Sequence, residues 1–321
     1  MKCAFLFPGQ GSQYSGMGRE MAEKYGAARR AFAVADRALA GQGNGAAVFI
    51  SNLCFQGSPE ALKLTENTQP ALLTCSVAIF RVLEEKGVLP DFVAGHSLGE
   101  YSALVAAESL TLEDAVVAVR KRGRYMQEAV PVGAGAMAAL LGLSLAAVEE
   151  ICVDAASAAG GEVVSPANIN SPEQIVIAGS DAAVRQAVEL AKKRGAKRAI
   201  MLQVSAPFHC ALMKPAQDRL ADDLVALKFS DPRFPLVNNL NAAEVRTAEQ
   251  ARAGLIGQVA APVKWADVIR QLLTRGVDTF VEVGPGRVLC GLLRQIDKKV
   301  PAMNVEDEKS LQEALASLKG C

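Results

Sequence analysis

Short apolar runs alternate with long amphipathic stretches through the first third of the chain. Apolar positions three or four residues apart predict helices, whereas short apolar runs that end at glycine or proline predict buried strands. These patterns predict strands over residues 4–7 and 92–94, and helices over residues 17–39, 70–86, 100–107 and 111–129. Strands and helices that alternate in this way form βαβ units with parallel strands. The predicted fold class is therefore α/β with a parallel sheet.

The order of the predicted elements changes after the glycine-rich segment 131–135. The pattern then predicts strands over residues 136–141, 162–167, 174–178 and 198–204, with helices over residues 145–158 and 182–194. This βαββαβ order is typical of ferredoxin-like units. We therefore expect a small subdomain over residues 132–204, inserted into a core formed by residues 1–131 and 205–321. In the second part of the core, the α/β pattern resumes with strands over 235–238 and 280–283 and helices over 265–275 and 288–296.

Composition and charge narrow the classes of function. Apolar residues make up 50% of the chain and charged residues 21%, which is typical of a folded globular protein. Lys and Arg number 34, as do Asp and Glu, so the net charge is zero and we do not expect a nucleic-acid binder. The apolar runs are too short for a signal peptide or a membrane-spanning helix. We expect a soluble cytoplasmic protein without membrane contact.

The cysteines and histidines argue against a metal site. Seven cysteines are scattered along the chain without any C-x-x-C pair, which predicts free thiols in a reducing compartment. They are Cys3, Cys54, Cys75, Cys152, Cys210, Cys290 and Cys321. The chain has only two histidines, His96 and His209, so a histidine-rich metal site is not expected either.

The segment Gly95-His96-Ser97-Leu98-Gly99 matches the G-x-S-x-G motif and lies between a predicted strand and a predicted helix. On such a turn the serine hydroxyl stands clear of the sheet, beside helix N–H groups that are able to hold an oxyanion. The motif also occurs by chance in loops where serine merely caps a helix. The prediction that Ser97 is a nucleophile therefore depends on the strand and the helix on either side of the motif.

A serine nucleophile needs a base, and the two histidines differ in their suitability. His96 is the immediate neighbour of Ser97, so the two side chains leave a sharp turn in different directions. His209 lies in a loop where the insert rejoins the core, which makes it the better candidate. No acid is an obvious third member of a triad, because Asp154 and Asp181 lie on helical faces or turns of the insert. We therefore expect a dyad, with a backbone or amide oxygen that holds the imidazole.

Three arginines, Arg120, Arg122 and Arg124, lie in the second half of a predicted helix. Cations are favoured there by the helix dipole. Helical spacing nevertheless turns these side chains to different faces, so at least one is able to point inward. An inward arginine beside an acylated serine would recognise a carboxylate through its planar fork.

Six motifs extend this set over about residues 3–305. They are Phe7-Pro8-Gly9-Gln10-Gly11-Ser12-Gln13, Gly95-His96-Ser97-Leu98-Gly99-Glu100-Tyr101-Ser102-Ala103-Leu104, Arg122-Gly123 with Met126-Gln127, Asn168-Ile169-Asn170-Ser171-Pro172, Ala206-Pro207-Phe208-His209 and Glu282-Val283-Gly284-Pro285-Gly286. Together and in this order, they resemble the malonyl-CoA:acyl carrier protein transacylase family. The resemblance implies an α/β hydrolase-like core with a ferredoxin-like insert.

The resemblance also implies a role for each candidate residue. Ser97 would be the nucleophile that becomes malonylated, His209 its general base, and Gln258 the source of the carbonyl that orients His209. Arg122 would pair with the free malonyl carboxylate.

The remaining roles that the resemblance implies concern the oxyanion and the acyl group. Backbone N–H groups of Gln10 and Leu98 would form the oxyanion hole. Phe208, just before His209, would favour malonyl over methylmalonyl as the acyl group.

The implied reaction is ping-pong transfer of malonyl from malonyl-CoA to the phosphopantetheine thiol of acyl carrier protein, for fatty-acid synthesis. No cofactor is implied, and we expect a monomer. Basic residues 192–194 with 197–198 are a candidate docking surface for the acidic carrier, although a solvated helix end explains them equally well. Two alternatives remain: a serine hydrolase or thioesterase, which would need an acid partner, and a carrier-binding module, which would need neither Ser97 nor His209.

Overall fold

The computed structural model describes residues 1–40 and 49–318. The strands are β1 (Cys3–Phe7), β2 (Phe92–Gly95), β3 (Gly135–Leu141), β4 (Val164–Ser171), β5 (Gln174–Ser180), β6 (Arg198–Met201), β7 (Leu236–Val237), β8 (Glu244–Val245), β9 (Thr279–Val283) and β10 (Ala302–Val305). The helices are α1 (Arg19–Lys24), α2 (Gly26–Leu39), α3 (Ile50–Gln56), α4 (Pro59–Lys63), α5 (Thr65–Glu85), α6 (Gly99–Ala106), α7 (Leu112–Glu128), α8 (Leu145–Ala158), α9 (Asp181–Lys193), α10 (Lys214–Ala226), α11 (Ala248–Gly257), α12 (Trp265–Thr274), α13 (Val288–Ile296) and α14 (Glu308–Ser317), with a 3₁₀ turn over Ala211–Met213.

Six strands form a sheet in the order β10-β9-β1-β2-β7-β8, parallel except for the short edge strand β8. The central strand β1 is buried on both faces. Its residues Phe5 and Phe7 pack into a core with most of the helices, whereas Ala4 and Leu6 pack on the other face with α12 and α13. Because helices cover both faces, the strand reads as one continuous apolar run. The prediction of an α/β fold with a parallel sheet is confirmed.

The other four strands form an antiparallel sheet in the order β4-β5-β3-β6. Alternate residues of β3 lie on opposite faces of this sheet. Ala138 and Leu140 pack against α8 and α9, whereas Met137 and Ala139 face a smaller apolar cluster that includes Cys210 of the loop after β6. This second face therefore packs against the part of the core that carries His209.

Four predicted elements differ from the structure by a break or by more than two residues at an end. The predicted helix over 17–39 is two helices, because Tyr25 has extended backbone between α1 and α2. The predicted helix over 70–86 begins a turn and a half earlier, so Pro70 lies inside α5. The predicted strand over 162–167 begins at Val164 and continues to Ser171, because its polar end pairs with β5 and also bridges to Val263 of the core. The predicted strand over 198–204 ends at Met201, after which the chain turns to line a cleft.

Several elements carry no strong pattern and were not predicted, namely α3, α4, α10, α11, α14, β8 and β10. Within the described residues, no helix has the length and apolar character needed to cross a membrane. Cys54, Cys75, Cys152, Cys210 and Cys290 are buried free thiols. Cys321 lies outside the described residues.

Candidate active site

Ser97 lies on the tight turn between β2 and α6, where its backbone is left-handed with φ of 52°. The two glycines of the motif allow this turn to pack. A Cβ on Gly95 would lie 1.9 Å from the carbonyl of Gly99, and a Cβ on Gly99 would lie 2.0 Å from the Phe7 carbonyl oxygen. The motif glycines are therefore required by the close approach of strand, turn and helix.

Asn239 fastens this turn from the neighbouring strand. It follows β7, which pairs with β2, and its side chain is fully buried. Its Oδ1 accepts a hydrogen bond from the Ser97 N–H at 2.7 Å, and its Nδ2 donates to the Gly95 carbonyl at 2.7 Å. One amide thus holds the backbone on both sides of His96. The signal for it in the sequence was a polar pair, Asn238-Asn239, at the end of a predicted strand.

The Ser97 hydroxyl donates to Nε2 of His209 across 2.7 Å. Nδ1 of the same ring donates to the main-chain carbonyl of Gln258 at 2.8 Å. These two partners fix the imidazole as the neutral tautomer whose Nε2 lone pair faces the serine. Burial and, second, the Arg122 cation lower the pKa of His209 to about 3. The ring is therefore neutral and able to accept a proton at neutral pH.

Arg122 reaches the same hydroxyl from α7. Its Nη2 donates to Ser97 Oγ at 3.1 Å and to Gln258 Oε1 at 2.9 Å, and its Nη1 donates to Gln69 Oε1 at 2.7 Å. The side chain is only 2% exposed, and burial lowers its pKa. Of the two other arginines in this segment, Arg124 is exposed and Arg120 donates to Asn67. The structure brings Arg122 to Ser97 and leaves the other two outside.

The loop after β1 faces the turn that carries Ser97. Gly9 approaches so closely that a Cβ there would lie 2.5 Å from the His96 carbonyl oxygen. Neither the N–H of Gln10 nor that of Leu98 donates to any group in the described ranges. Both residues line the same cleft as Ser97.

This cleft has a volume of about 330 Å³ and lies between the six-stranded core and the four-stranded sheet. Apolar side chains from both parts line it, among them Met126, Phe208, Met137 and Val176. A larger groove of about 690 Å³ lies elsewhere, on α2, α5 and α7, and holds none of the candidate residues. The smaller cleft, unlike the larger groove, combines the candidate nucleophile, the candidate base and an apolar wall.

His96 points away from the reacting atoms. Its Nε2–H donates to Asn170 Oδ1 at 2.9 Å, and its ring packs beside Trp265 with centroids 5.4 Å apart. Burial lowers its pKa. Its contacts hold the turn against β4 and α12, as expected for a packed histidine.

Glu100 is a buried residue of the site that sequence reasoning missed. It lies in the first turn of α6, and its Oε2 accepts from the Asn239 N–H at 2.9 Å and from Gln258 Nε2 at 3.2 Å. Burial raises the pKa of its carboxyl group to about 7. Gln69 was missed as well, because nothing in the local sequence of α5 shows that it faces an arginine of α7.

The other acids considered for a triad lie on the surface of the four-stranded unit. Asp154 pairs with Arg194, and Asp181 pairs with Arg185 at 2.7 Å. In the basic segment at the end of α9, Lys192 and Lys197 also have acidic partners, at 2.7 Å and 3.5 Å. Across residues 1–40 and 49–318, no three His, Cys, Asp or Glu side chains are grouped so as to hold a metal ion.

Comparison with known proteins assigns this site to a family. The chain matches the acyl transferase domain over residues 4–312. This protein belongs to the acyl transferase family. Curated relatives of this acyl transferase include the malonyl CoA-acyl carrier protein transacylase of Bacillus subtilis, 46% identical over 99% of this chain and 98% of that protein. The Escherichia coli protein of the same name is 45% identical over 97% of this chain and 98% of its own length. The resemblance seen in the sequence motifs is confirmed.

Solved structures that are similar to this acyl transferase support the same family assignment. A malonyl CoA-acyl carrier protein transacylase from Coxiella burnetii superimposes with a TM-score of 0.94 at 43% identity, covering 99% of this chain and 98% of that one. A malonyl-transacylase solved in complex with a type II PKS acyl-carrier protein gives a TM-score of 0.93 at 44% identity, covering 99% and 100%. The α/β fold is thus shared over the whole length.

Proposed function

We propose that this acyl transferase moves the malonyl group from malonyl-CoA to the phosphopantetheine thiol of acyl carrier protein, supplying the extender unit for fatty-acid synthesis. The observation that carries the proposal is the Ser97 hydroxyl held between two side chains. Nε2 of His209 lies 2.7 Å from Oγ, and Nη2 of Arg122 lies 3.1 Å from it. A base beside the nucleophile supports acyl transfer, and a buried cation beside both supports an acyl group with its own carboxylate.

In the first half-reaction, Ser97 Oγ attacks the thioester carbonyl while His209 Nε2 takes the hydroxyl proton. The tetrahedral oxyanion accepts hydrogen bonds from the N–H groups of Gln10 and Leu98. When the carbon–sulfur bond breaks, the proton passes to the departing coenzyme A thiolate and malonyl-serine remains. The carrier thiol then reverses these steps, and the Gln258 carbonyl orients the imidazole in both directions.

Each half-reaction exchanges one ester or thioester for another, so atoms and electrons balance without a redox partner. We propose no metal and no cofactor for this chemistry; coenzyme A thioester and carrier thiol are substrates. We place the enzyme in the cytoplasm as a monomer, where free thiols such as Cys54 and Cys210 persist.

The same proposal divides the chain into an α/β hydrolase-like core, residues 1–131 and 205–321, and a ferredoxin-like subdomain, residues 132–204. Support comes from the strand order β4-β5-β3-β6 and the element order βαββαβ of the inserted part. Separate apolar clusters also underlie the two sheets.

Intact mass spectrometry tests the function directly. After incubation with malonyl-CoA alone, the wild-type protein should carry one malonyl group on Ser97, and holo carrier protein should then remove it. Ser97→Ala should take up none. An adduct that maps to a cysteine, or that persists in Ser97→Ala, would contradict the assignment. Release of malonate to water at the rate of acylation would favour a hydrolase.

A further inference from the structure

Glu100 is a buried carboxylate that none of the proposed catalytic steps uses. Its side chain is 1% exposed, and its hydrogen-bond donors are the Asn239 N–H and the Gln258 side chain. In the described part of the chain it forms no direct ion pair. Burying an ionised carboxylate without a cation is unfavourable, so a compensating charge is expected close by.

A single amide connects Glu100 to such a charge. Gln258 Nε2 donates to Glu100 at 3.2 Å, and Gln258 Oε1 accepts from Arg122 at 2.9 Å. The amide orientation is fixed by these partners, since the carboxylate accepts and the guanidinium only donates. Arg122 likewise has only neutral oxygen acceptors among the described residues, on Gln69, Gln258 and Ser97. The two buried charges therefore balance each other through Gln258.

We propose that Glu100 is the internal counter-charge of Arg122 in the acyl-free enzyme, and that it takes up a proton from solvent when the malonyl carboxylate binds there. The proposal rests on the proposed function, since it needs a substrate that brings a carboxylate to Arg122. The Arg122 cation then faces two buried carboxylates, those of Glu100 and the malonyl group. Keeping both ionised in one site is unfavourable, because like charges repel. The proton returns to solvent when the malonyl group leaves on the carrier thiol.

The surroundings of Glu100 favour it as the carboxylate that becomes neutral. Its helix packs against α5, α7, α11, β1 and β2, and from these elements Arg122 is the charged group that acts on its pKa. Tyr101 on the same helix also interacts with it, and His209 contacts the main chain of Gln258. Because burial raises the pKa of Glu100 to about 7, the group is close to its titration midpoint before substrate arrives. A second carboxylate nearby raises that pKa further.

Isothermal titration calorimetry measures this proton uptake. The Ser97→Ala variant is used, because it binds the thioester without acyl transfer. Titrations in two buffers of different ionisation enthalpy are made with malonyl-CoA and with acetyl-CoA, which carries the same coenzyme A but no acyl carboxylate. At pH 7.5 malonyl-CoA should take up roughly 0.5–0.8 proton more than acetyl-CoA. At pH 6 the difference should shrink to about 0.1, and above pH 7 malonyl-CoA affinity should fall by up to about tenfold per pH unit.

Two further variants in the Ser97→Ala background show which residue takes up the proton. Glu100→Gln should abolish the difference between the two thioesters and make malonyl-CoA affinity independent of pH. Glu282→Gln is the matched control, because Glu282 is equally buried but accepts from the N–H groups of Leu289 and Cys290. It should leave the difference intact.

The proposal is overturned by equal proton counts for the two thioesters in Ser97→Ala, or by a difference that survives Glu100→Gln. The first comparison needs no change at Glu100, so it decides the matter even if Glu100→Gln fails to fold. Malonylation of the wild-type protein distinguishes a failure of the role of Glu100 from a failure of the proposed function. A malonylated wild type without proton uptake rejects the role of Glu100 alone, whereas a wild type that takes no malonyl group rejects the proposed function and this role with it.

Discussion

Arg122→Ala should change which thioester reacts more than it changes the reactivity of the serine. The guanidinium is buried, lines the cleft and donates to Gln69, Gln258 and the Ser97 hydroxyl. Its proposed partner during catalysis is the distal malonyl carboxylate, which lies away from the thioester. Acetyl-CoA has no group that needs this cation.

The expected loss with malonyl-CoA follows from burial. Removing the cation from a buried ion pair costs about 3–5 kcal/mol, or roughly 150- to 4,000-fold in kcat/KM. With acetyl-CoA the one contact to a reacting group that is lost is the hydrogen bond from Arg122 to Ser97. The pKa of His209 should also rise, because the Arg122 cation contributes to lowering it. Acetyl transfer should therefore stay within about tenfold of wild type or increase.

The assay measures kcat/KM for both thioesters with wild type, Arg122→Ala, Arg122→Lys and Arg124→Ala. Lysine should restore only part of the malonyl activity, because an ammonium cannot make the two-pronged contact. Arg124 is the matched control, since its side chain is 47% exposed. Alanine at 122 leaves the oxygens of Gln69 and Gln258 unpaired, at about 1–3 kcal/mol each, so melting curves must show that the variant is folded at the assay temperature. Equal loss with malonyl-CoA and acetyl-CoA in a folded variant would refute the carboxylate role.

Three other predictions concern the base, its burial and the turn. His209→Ala should slow acylation and transfer alike, by about 10²–10⁴-fold, whereas His96→Ala should be milder in single-turnover assays; the reverse order would exchange their roles. Since the pKa of His209 is lowered on folding, the unfolded chain binds the extra proton below pH 6.5. Wild type should thus lose about 2 kcal/mol more unfolding free energy than His209→Gln between pH 7 and pH 5, and equal losses would contradict its burial as a neutral ring. Gly95→Ala should disrupt the turn, whereas Gly291→Ala, in helix α13 with open space around it, should raise stability by about 0.5–1 kcal/mol in denaturant melts; a tolerated alanine at 95 would show that the contact is not limiting.

The local parts of the site could be predicted because their information is local. The strand, the turn and the helix around Ser97 are adjacent in sequence, and their apolar pattern and glycines indicate the geometry on their own. The fold class followed similarly from alternating elements, each with a clear period. The helix over residues 145–158 and the helix over 288–296 were predicted with their observed bounds, since each has an apolar stripe and a distinct end.

The residues that support the site could not be predicted in the same way. Gln69 comes from α5, Asn239 from a loop and Glu100 from α6, and only tertiary packing brings them together. A polar side chain in an apolar helix gives no sign of what it will face. The predicted end of β4 was wrong for a different reason: its polar residues carry no apolar pattern, yet they stay extended by pairing with β5, Ile169 with Ile175 and Ser171 with Gln174.

Both residues of the proposed dyad have left-handed backbone, with φ of 52° at Ser97 and 61° at His209. Glycine adopts this conformation without the steric penalty that a side chain brings. A search for more stable versions of this enzyme that scores backbone conformation will therefore rate glycine well at both positions, although glycine loses the hydrogen bonds that Ser97 and His209 make. Such a score takes no account of the proposed nucleophile and base, so engineering of this protein for heat resistance has to exclude positions 97 and 209 from the start.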